Sequence, residues 1–168
     1  MNDTIEFTLR AVLIGVGATV VMDVWAVVLR RFGVPSLNLA LLGRWIGHLL
    51  RGHWKHANIV TATRVLGESP IGWCAHYSIG VAFSALLLLT CGLEWARSPS
   101  LFPALFIGIV TVAAPLFILQ PGMGAGVASS KTARPVFNSI KSVVTHTVFG
   151  FGMYLAALAT ASILAFDK

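Results

Sequence analysis

The sequence predicts an all-α protein, a four-helix transmembrane bundle with an amphipathic surface helix in its first cytoplasmic loop. Three observations carry this. Charged residues are 11% of the 168 and apolar residues 57%, against about 25% charge in an ordinary soluble domain. The apolar residues collect in four stretches, 7–29, 71–93, 101–119 and 143–166. Each is about 20 residues long, the length a helix needs to cross a hydrocarbon core of about 30 Å. Lys and Arg collect in the connections between them. Helix is the natural form, because lipid offers backbone groups no partner outside the segment. The chain reads as one integral membrane domain over 1–168.

The first stretch is read as a retained helix rather than a signal peptide. The first ten residues carry Asp3, Glu6 and Arg10 instead of a clean positive region, and Asp23 interrupts the apolar run.

The connection that follows contains its own helix. Pro35 and Ser36 mark a turn, and Asn38 is a helix N-cap. Leu39, Leu42, Trp45, Ile46 and Leu49 recur at helical spacing, with Arg44, His48 and Arg51 largely outside that stripe. Such a helix lies on the membrane surface, anchored to lipid headgroups, anionic ones included. A gate over the bundle is the functional alternative. His53 and His56, with Trp54 between them, form a weak metal pair or are surface residues.

The second stretch holds both cysteines, Cys74 and Cys91. About 25 Å apart on one helix, they cannot bridge each other. The third stretch contains Pro115, which lacks an amide donor and clashes with the carbonyl of Thr111, so a kink is expected there.

Charge sets the orientation. Arg30, Arg31, Arg44, Arg51, Lys55, Arg64, Lys131, Arg134 and Lys141 fall on one side, nine in all; Arg10, Arg97 and Lys168 fall on the other. The positive-inside rule puts the nine in the cytoplasm and both termini outside it. With the cations distributed this way, the net charge of +6 is a membrane signature rather than a nucleic-acid footprint.

The ionisable residues set well inside the apolar stretches are Asp23, His76 and His146, Arg10 lying at the outer edge of the first. Each costs about 2.5 to 3.5 kcal/mol on insertion scales and needs a reason to be there. They sit about 9, 8 and 5 Å from the cytoplasmic ends of their helices. Each also falls on a stripe spaced by four: Ala11, Gly15, Thr19, Asp23; Gly72, His76, Gly80, Ser84; Ser142, His146, Gly150, Tyr154. Residues four apart share a face, and small residues let membrane helices approach closely. The three therefore point to one interior site. An Asp with two His fits a divalent metal in a facial arrangement, a haem ligated by the two imidazoles, or a proton or solute path. It also fits a structural cluster in which Asp23 accepts from both imidazoles. Met22 and Cys74 nearby are soft ligands or packing. Trp25, Trp73 and Tyr77 read as interface anchors.

The loop at 121–132 is glycine-rich and ends in Lys131-Thr132. It fails the P-loop pattern, with Ala125 and Ser130 where glycines are required. Gly122, Gly124, Gly126, Ser129, Ser130, Lys131 and Arg134 still combine backbone amides, hydroxyls and cations that suit an anion, either a phosphate or a lipid headgroup. The alternative is a tight turn using glycine for φ > 0. Lying at the cytoplasmic end, the loop is also placed to cap the Asp-His layer.

No HExxH motif or nucleophile elbow occurs. No internal repeat supports an inverted-repeat transporter. Four helices make a narrow bundle, so a transport path calls for a homo-oligomer. The leading expectation is a protein that binds or transports a small ligand or ion through the Asp23/His76/His146 layer. The alternatives are a membrane-embedded metal or haem redox enzyme and an accessory structural subunit.

Ala18-Thr19 with Met22-Asp23-Val24-Trp25, Gly43-Arg44-Trp45, Gly72-Trp73 with His76-Tyr77, Pro121-Gly122-Met123-Gly124, and His146 with Phe149-Gly150 follow one another in a fairly specific order. In this the chain resembles a family of small bacterial inner-membrane proteins of about four helices, known as a domain of unknown function. The resemblance covers nearly the whole chain. It implies a multi-pass place in the bacterial inner membrane and supplies no activity.

Overall fold

In the computed structural model, which describes residues 2–165, the chain is all-α. Phe166, the expected end of the last helix, and Lys168 lie outside the described residues. The order is α1 (Asp3–Arg31), α2 (Leu39–Leu49), α3 (Glu68–Arg97), α4 (Leu101–Val110), a π-helical segment (Pro115–Leu119), α5 (Gln120–Met123), a short 3-10 turn (Val127–Ser129) and α6 (Pro135–Ala165). Among the described residues four spans are long and apolar enough to cross a membrane: Asp3–Arg31, Glu68–Arg97, Leu101–Met123 and Pro135–Leu164. Their composition and length make this a multi-pass membrane protein whose apolar helices contact lipid.

The helices run past the apolar stretches at nearly every end. Hydropathy marks what lies in lipid, whereas helical hydrogen bonding stops only where a cap or proline stops it. Asn2 caps α1 through the amide of Thr4 at 2.9 Å, and Asn38 caps α2 through Ala40 at 3.0 Å. Acidic Asp3 and Glu6 open α1 and basic Arg30 and Arg31 close it, matching the helix dipole. Pro135 opens α6, so Lys141, counted with the connections, lies on a helix.

Pro115 breaks the third span as expected. It cannot donate to the Thr111 carbonyl, which accepts from Ala114 at 3.1 Å instead. α4 ends there and the chain continues as a π segment.

The stripes of small residues face other helices. At Gly15 a Cβ would press on the backbone of Val81, and at Gly108 on that of Gly150, so α1 meets α3 and α4 meets α6 nearly backbone to backbone. Ser84 donates to the Ala11 carbonyl at 2.6 Å across the first contact. Ile14, Ala18, Leu87, Leu88, Phe149 and Met153 fill the core, while Val24, Leu89 and Phe102 point outward.

The short helix α2 packs more closely than a helix resting on headgroups would. A Cβ on Gly43 would overlap the Glu68 carbonyl, and one on Gly72 would overlap that of Leu39. Arg44, expected outside the apolar stripe, is buried. Its Nε and one terminal nitrogen reach the Glu68 carboxylate at 2.8 and 2.9 Å. The other terminal nitrogen donates to the carbonyls of Ile59, Val60 and Ala62. Periodicity counts arginine as polar, but a guanidinium is buried readily when all its donors are taken. The hydrogen bonds it donates to Glu68 hold Arg44 above its ordinary pKa.

The opposite end carries a second charged lock. Arg10 is buried and donates to Glu6 at 2.8 Å and to the Ala96 carbonyl at 2.8 Å. Arg97 also grips Glu6, at 3.0 and 2.7 Å. Charges that read as flanking residues in the sequence thus fasten α1 to the end of α3.

Candidate functional site

Asp23, His76 and His146 line one cavity of about 780 Å³ at the α2 end of the bundle. Its walls come from the C-terminal half of α1, residues 35–46, the first turns of α3, the π segment and the start of α6. Most of the wall is apolar, with Met22, Val27, Leu42, Ile79, Phe83 and Ile118 among its residues.

Two of the three polar residues touch. The Asp23 carboxylate accepts from His76 Nε2 at 3.0 Å through one oxygen and from the Tyr77 hydroxyl at 3.0 Å through the other. His76 and Tyr77 are consecutive on α3, so they straddle the carboxylate and tie α3 to α1. Trp73, one turn earlier, stacks on the Tyr77 ring at 6.3 Å between centroids.

His146 does not join this cluster. Its buried imidazole pairs with Thr111 at 3.1 Å. The Thr111 hydroxyl donates to the Gly108 carbonyl at 2.7 Å, so it accepts from Nδ1–H of the imidazole. That tautomer leaves a lone pair on Nε2. Phe83 and Phe149 flank the ring. Asp23 therefore receives one imidazole and a phenol rather than two imidazoles. The described residues contain no group of three or more His, Cys, Asp and Glu side chains placed to share a metal ion.

Three participants were not singled out from the sequence. Tyr77, read as an interface anchor, is a partner of Asp23; its adjacency to His76 was the available signal. Thr111, known only as the residue four before Pro115, fixes His146. Lys141 reaches from α6 to the Pro35 carbonyl at 2.7 Å, holding residues 35–40 over the cavity. One further group stands out: among the described residues, the buried Trp25 Nε1 has no hydrogen-bond partner, and Trp25 lines the same cavity.

The loop histidines pair differently from the sequence spacing. His56 Nε2 meets His48 Nδ1 at 2.8 Å, while His53 turns to the Arg51 carbonyl at 3.1 Å. Helix α2 supplies His48, so the pair depends on tertiary folding rather than on the i, i+3 spacing of His53 and His56.

The glycine-rich loop is latched to the 53–60 segment. The Gly122 carbonyl accepts from the His56 amide at 2.8 Å, and the Met123 carbonyl from the Ile59 amide at 3.0 Å. A Cβ on Gly122 would strike the Trp45 ring, and one on Gly124, at φ +95°, the Ala57 carbonyl. Ser129 is buried and donates to Gln120 at 3.0 Å, and Gln120 donates to Ser142 at 3.2 Å. The amides of Gly124, Ala125, Ser130 and Lys131 all donate to carbonyls within the loop. Glycine here serves tight turns and close packing. Ser130 and Lys131 face a second, smaller pocket, which Ser129 and Arg134 do not line.

A family model described as "Protein of unknown function (DUF2938)" matches residues 12–160, and the chain belongs to that family. Comparison with curated proteins and with solved structures finds no match.

Proposed function

We propose that this member of DUF2938 binds a small ligand with a largely apolar body inside the bundle, and that Asp23, His76 and His146 engage the ligand's polar or ionisable group. Transport of that ligand, or of an ion, past the polar layer is the wider activity. One observation carries the reading: the three costly intramembrane polar residues border a single cavity of about 780 Å³ with mainly apolar walls. Ligand sites have this size and character, an apolar pocket with a few convergent polar groups. The unpartnered Trp25 Nε1 on the same wall adds support, because buried donors are otherwise paired.

The proposed setting is a bacterial inner membrane with the α2 end in the cytoplasm and both termini outside. Nine Lys and Arg at that end against three elsewhere support it. The cavity then opens toward the cytoplasmic leaflet.

A second reading has its own observation. Both Asp23 oxygens are occupied by His76 and Tyr77, which suits a structural clasp between α1 and α3.

The deciding experiment extracts the detergent-purified chain and identifies bound small molecules by mass spectrometry, in wild type, Asp23→Asn and His146→Ala. The binding reading expects one compound retained by wild type and depleted in both variants while helical content is kept. Wild-type protein that carries no compound, or variants that keep it undiminished, leaves only the clasp.

A further inference from the structure

We propose that the cleft between residues 53–60 and the glycine-rich loop binds a phosphate-type oxyanion, presented by a lipid headgroup or free in solution. This site is separate from the bundle cavity. A pocket of about 260 Å³ lies there, bordered by Lys55, His56, Gly124, Gly126, Ser130 and Lys131. Among the described residues no carboxylate lines it.

Its charge is uncompensated. Among the described residues Lys55 and Lys131 form no salt bridge. The Glu68 and Asp23 carboxylates are engaged elsewhere, by Arg44 and by His76 with Tyr77.

His56 lines the pocket with both ring nitrogens already engaged. Its Nδ1 faces the Gly122 carbonyl at 3.2 Å, and its Nε2 shares a hydrogen bond with His48 Nδ1 at 2.8 Å. His48 Nε2 in turn faces the Thr63 carbonyl at 2.9 Å. His56 therefore shapes the wall, and the lysines and Ser130 contribute the contacts.

The walls are set in advance. Two backbone hydrogen bonds latch the loops together. Gly126, at φ +77°, lets the turn close: a Cβ there would strike Ser130 Oγ and Lys131 Cγ. The Ser130 and Lys131 amides donate to Val127 and Ala125, so side chains rather than a nest of amides hold the anion.

The test titrates the full chain in neutral detergent with inorganic phosphate and, separately, with short-chain phosphatidylglycerol. Wild type is compared with Lys55→Gln, Lys131→Gln and Arg134→Gln. Arg134 is an exposed cation outside the pocket. Each pocket lysine removed should weaken binding about tenfold, the loss of one charge-assisted hydrogen bond, with Arg134→Gln unchanged. Binding of phosphate alone identifies a soluble ligand, and binding of phosphatidylglycerol alone a headgroup. The proposal fails if neither probe binds wild type, or if Arg134→Gln loses as much as the pocket variants, which would mean diffuse attraction only.

Discussion

Asp23 on α1 and Tyr77 on α3 share a hydrogen bond of 3.0 Å, formed by the residue directly after the histidine that takes the other carboxylate oxygen. The carboxylate thereby has a neutral donor on one side and an imidazole on the other. Tyr77→Phe removes the phenol donor and leaves the His76 contact in place. Interhelical hydrogen bonds in membranes are worth about 0.6 kcal/mol on average and about 1.7 at most. Tyr77→Phe is expected to cost a sum in that range, measured by reversible unfolding in detergent. Combined with Asp23→Asn it should cost less than the two single changes added, because both act on one bond. Strict additivity would mean that the hydroxyl does not hold Asp23.

His146 and Thr111 make an independent pair on α6 and the broken third span. Thr111→Val deletes the acceptor of His146 Nδ1–H and leaves a buried donor unpaired. The expected cost is about 1 to 3 kcal/mol, the penalty for an unsatisfied buried group. It should add to that of Tyr77→Phe within about 0.5 kcal/mol, since the two sites share no partner. A clear departure from additivity would mean that the two polar groups are coupled through the cavity.

The bundle itself was legible because lipid imposes a length and a composition on each span. The cavity was half legible. Stripes spaced by four located Asp23, His76 and His146 on interior faces, but a stripe does not say which rotamer a side chain takes. His76 turns to Asp23 and His146 to Thr111 for reasons that lie on other helices. Arg44 shows the same limit from the other side. Its place on α2 reads as solvated, and the partners that bury it, Glu68 and three carbonyls from 59–62, come from a segment with no periodic signal. The pairing of His48 with His56 was equally out of reach, because it follows from how the 50–67 connection folds back onto α2.

Gly43 tests whether α2 is a fitted part of the bundle. A methyl at Gly43 has nowhere to go, since the Glu68 carbonyl and the Gly72 amide occupy its place. Gly43→Ala should displace α2, whose Leu42, Trp45 and Ile46 wall the cavity, at a cost of about 1 to 3 kcal/mol for overpacking. Gly52→Ala meets nothing within 4 Å but sits at φ +81°, so it carries only the backbone strain of about 1 to 2 kcal/mol for a left-handed residue. The distinguishing measurement is limited proteolysis of the 50–67 connection together with ligand retention. Gly43→Ala should speed cleavage and release ligand, and Gly52→Ala should leave retention intact. Equal behaviour of the two would mean that α2 rides on the surface after all.

Arg44→Lys separates charge from geometry at the same junction. Lysine keeps the positive charge but concentrates it on one ammonium with three donors, and lacks the planar fork that meets a carboxylate with two. Arg44 spends its donors on Glu68 and on the carbonyls of Ile59, Val60 and Ala62. Glu68 in turn accepts from the Val65 amide at 3.3 Å. A lysine can serve Glu68 or the carbonyls, but not both sets at once. The spanning helices should therefore fold normally while the 59–65 segment opens more often. Hydrogen exchange is the measure, because it reports local opening. The Ile59, Ala62 and Val65 amides, each bonded in the wild type, should exchange about tenfold faster, and those in the middle of α6 at the wild-type rate. If the three loop amides are as protected with lysine as with arginine, charge alone holds the connection to α2, and the buried guanidinium is not its fastening.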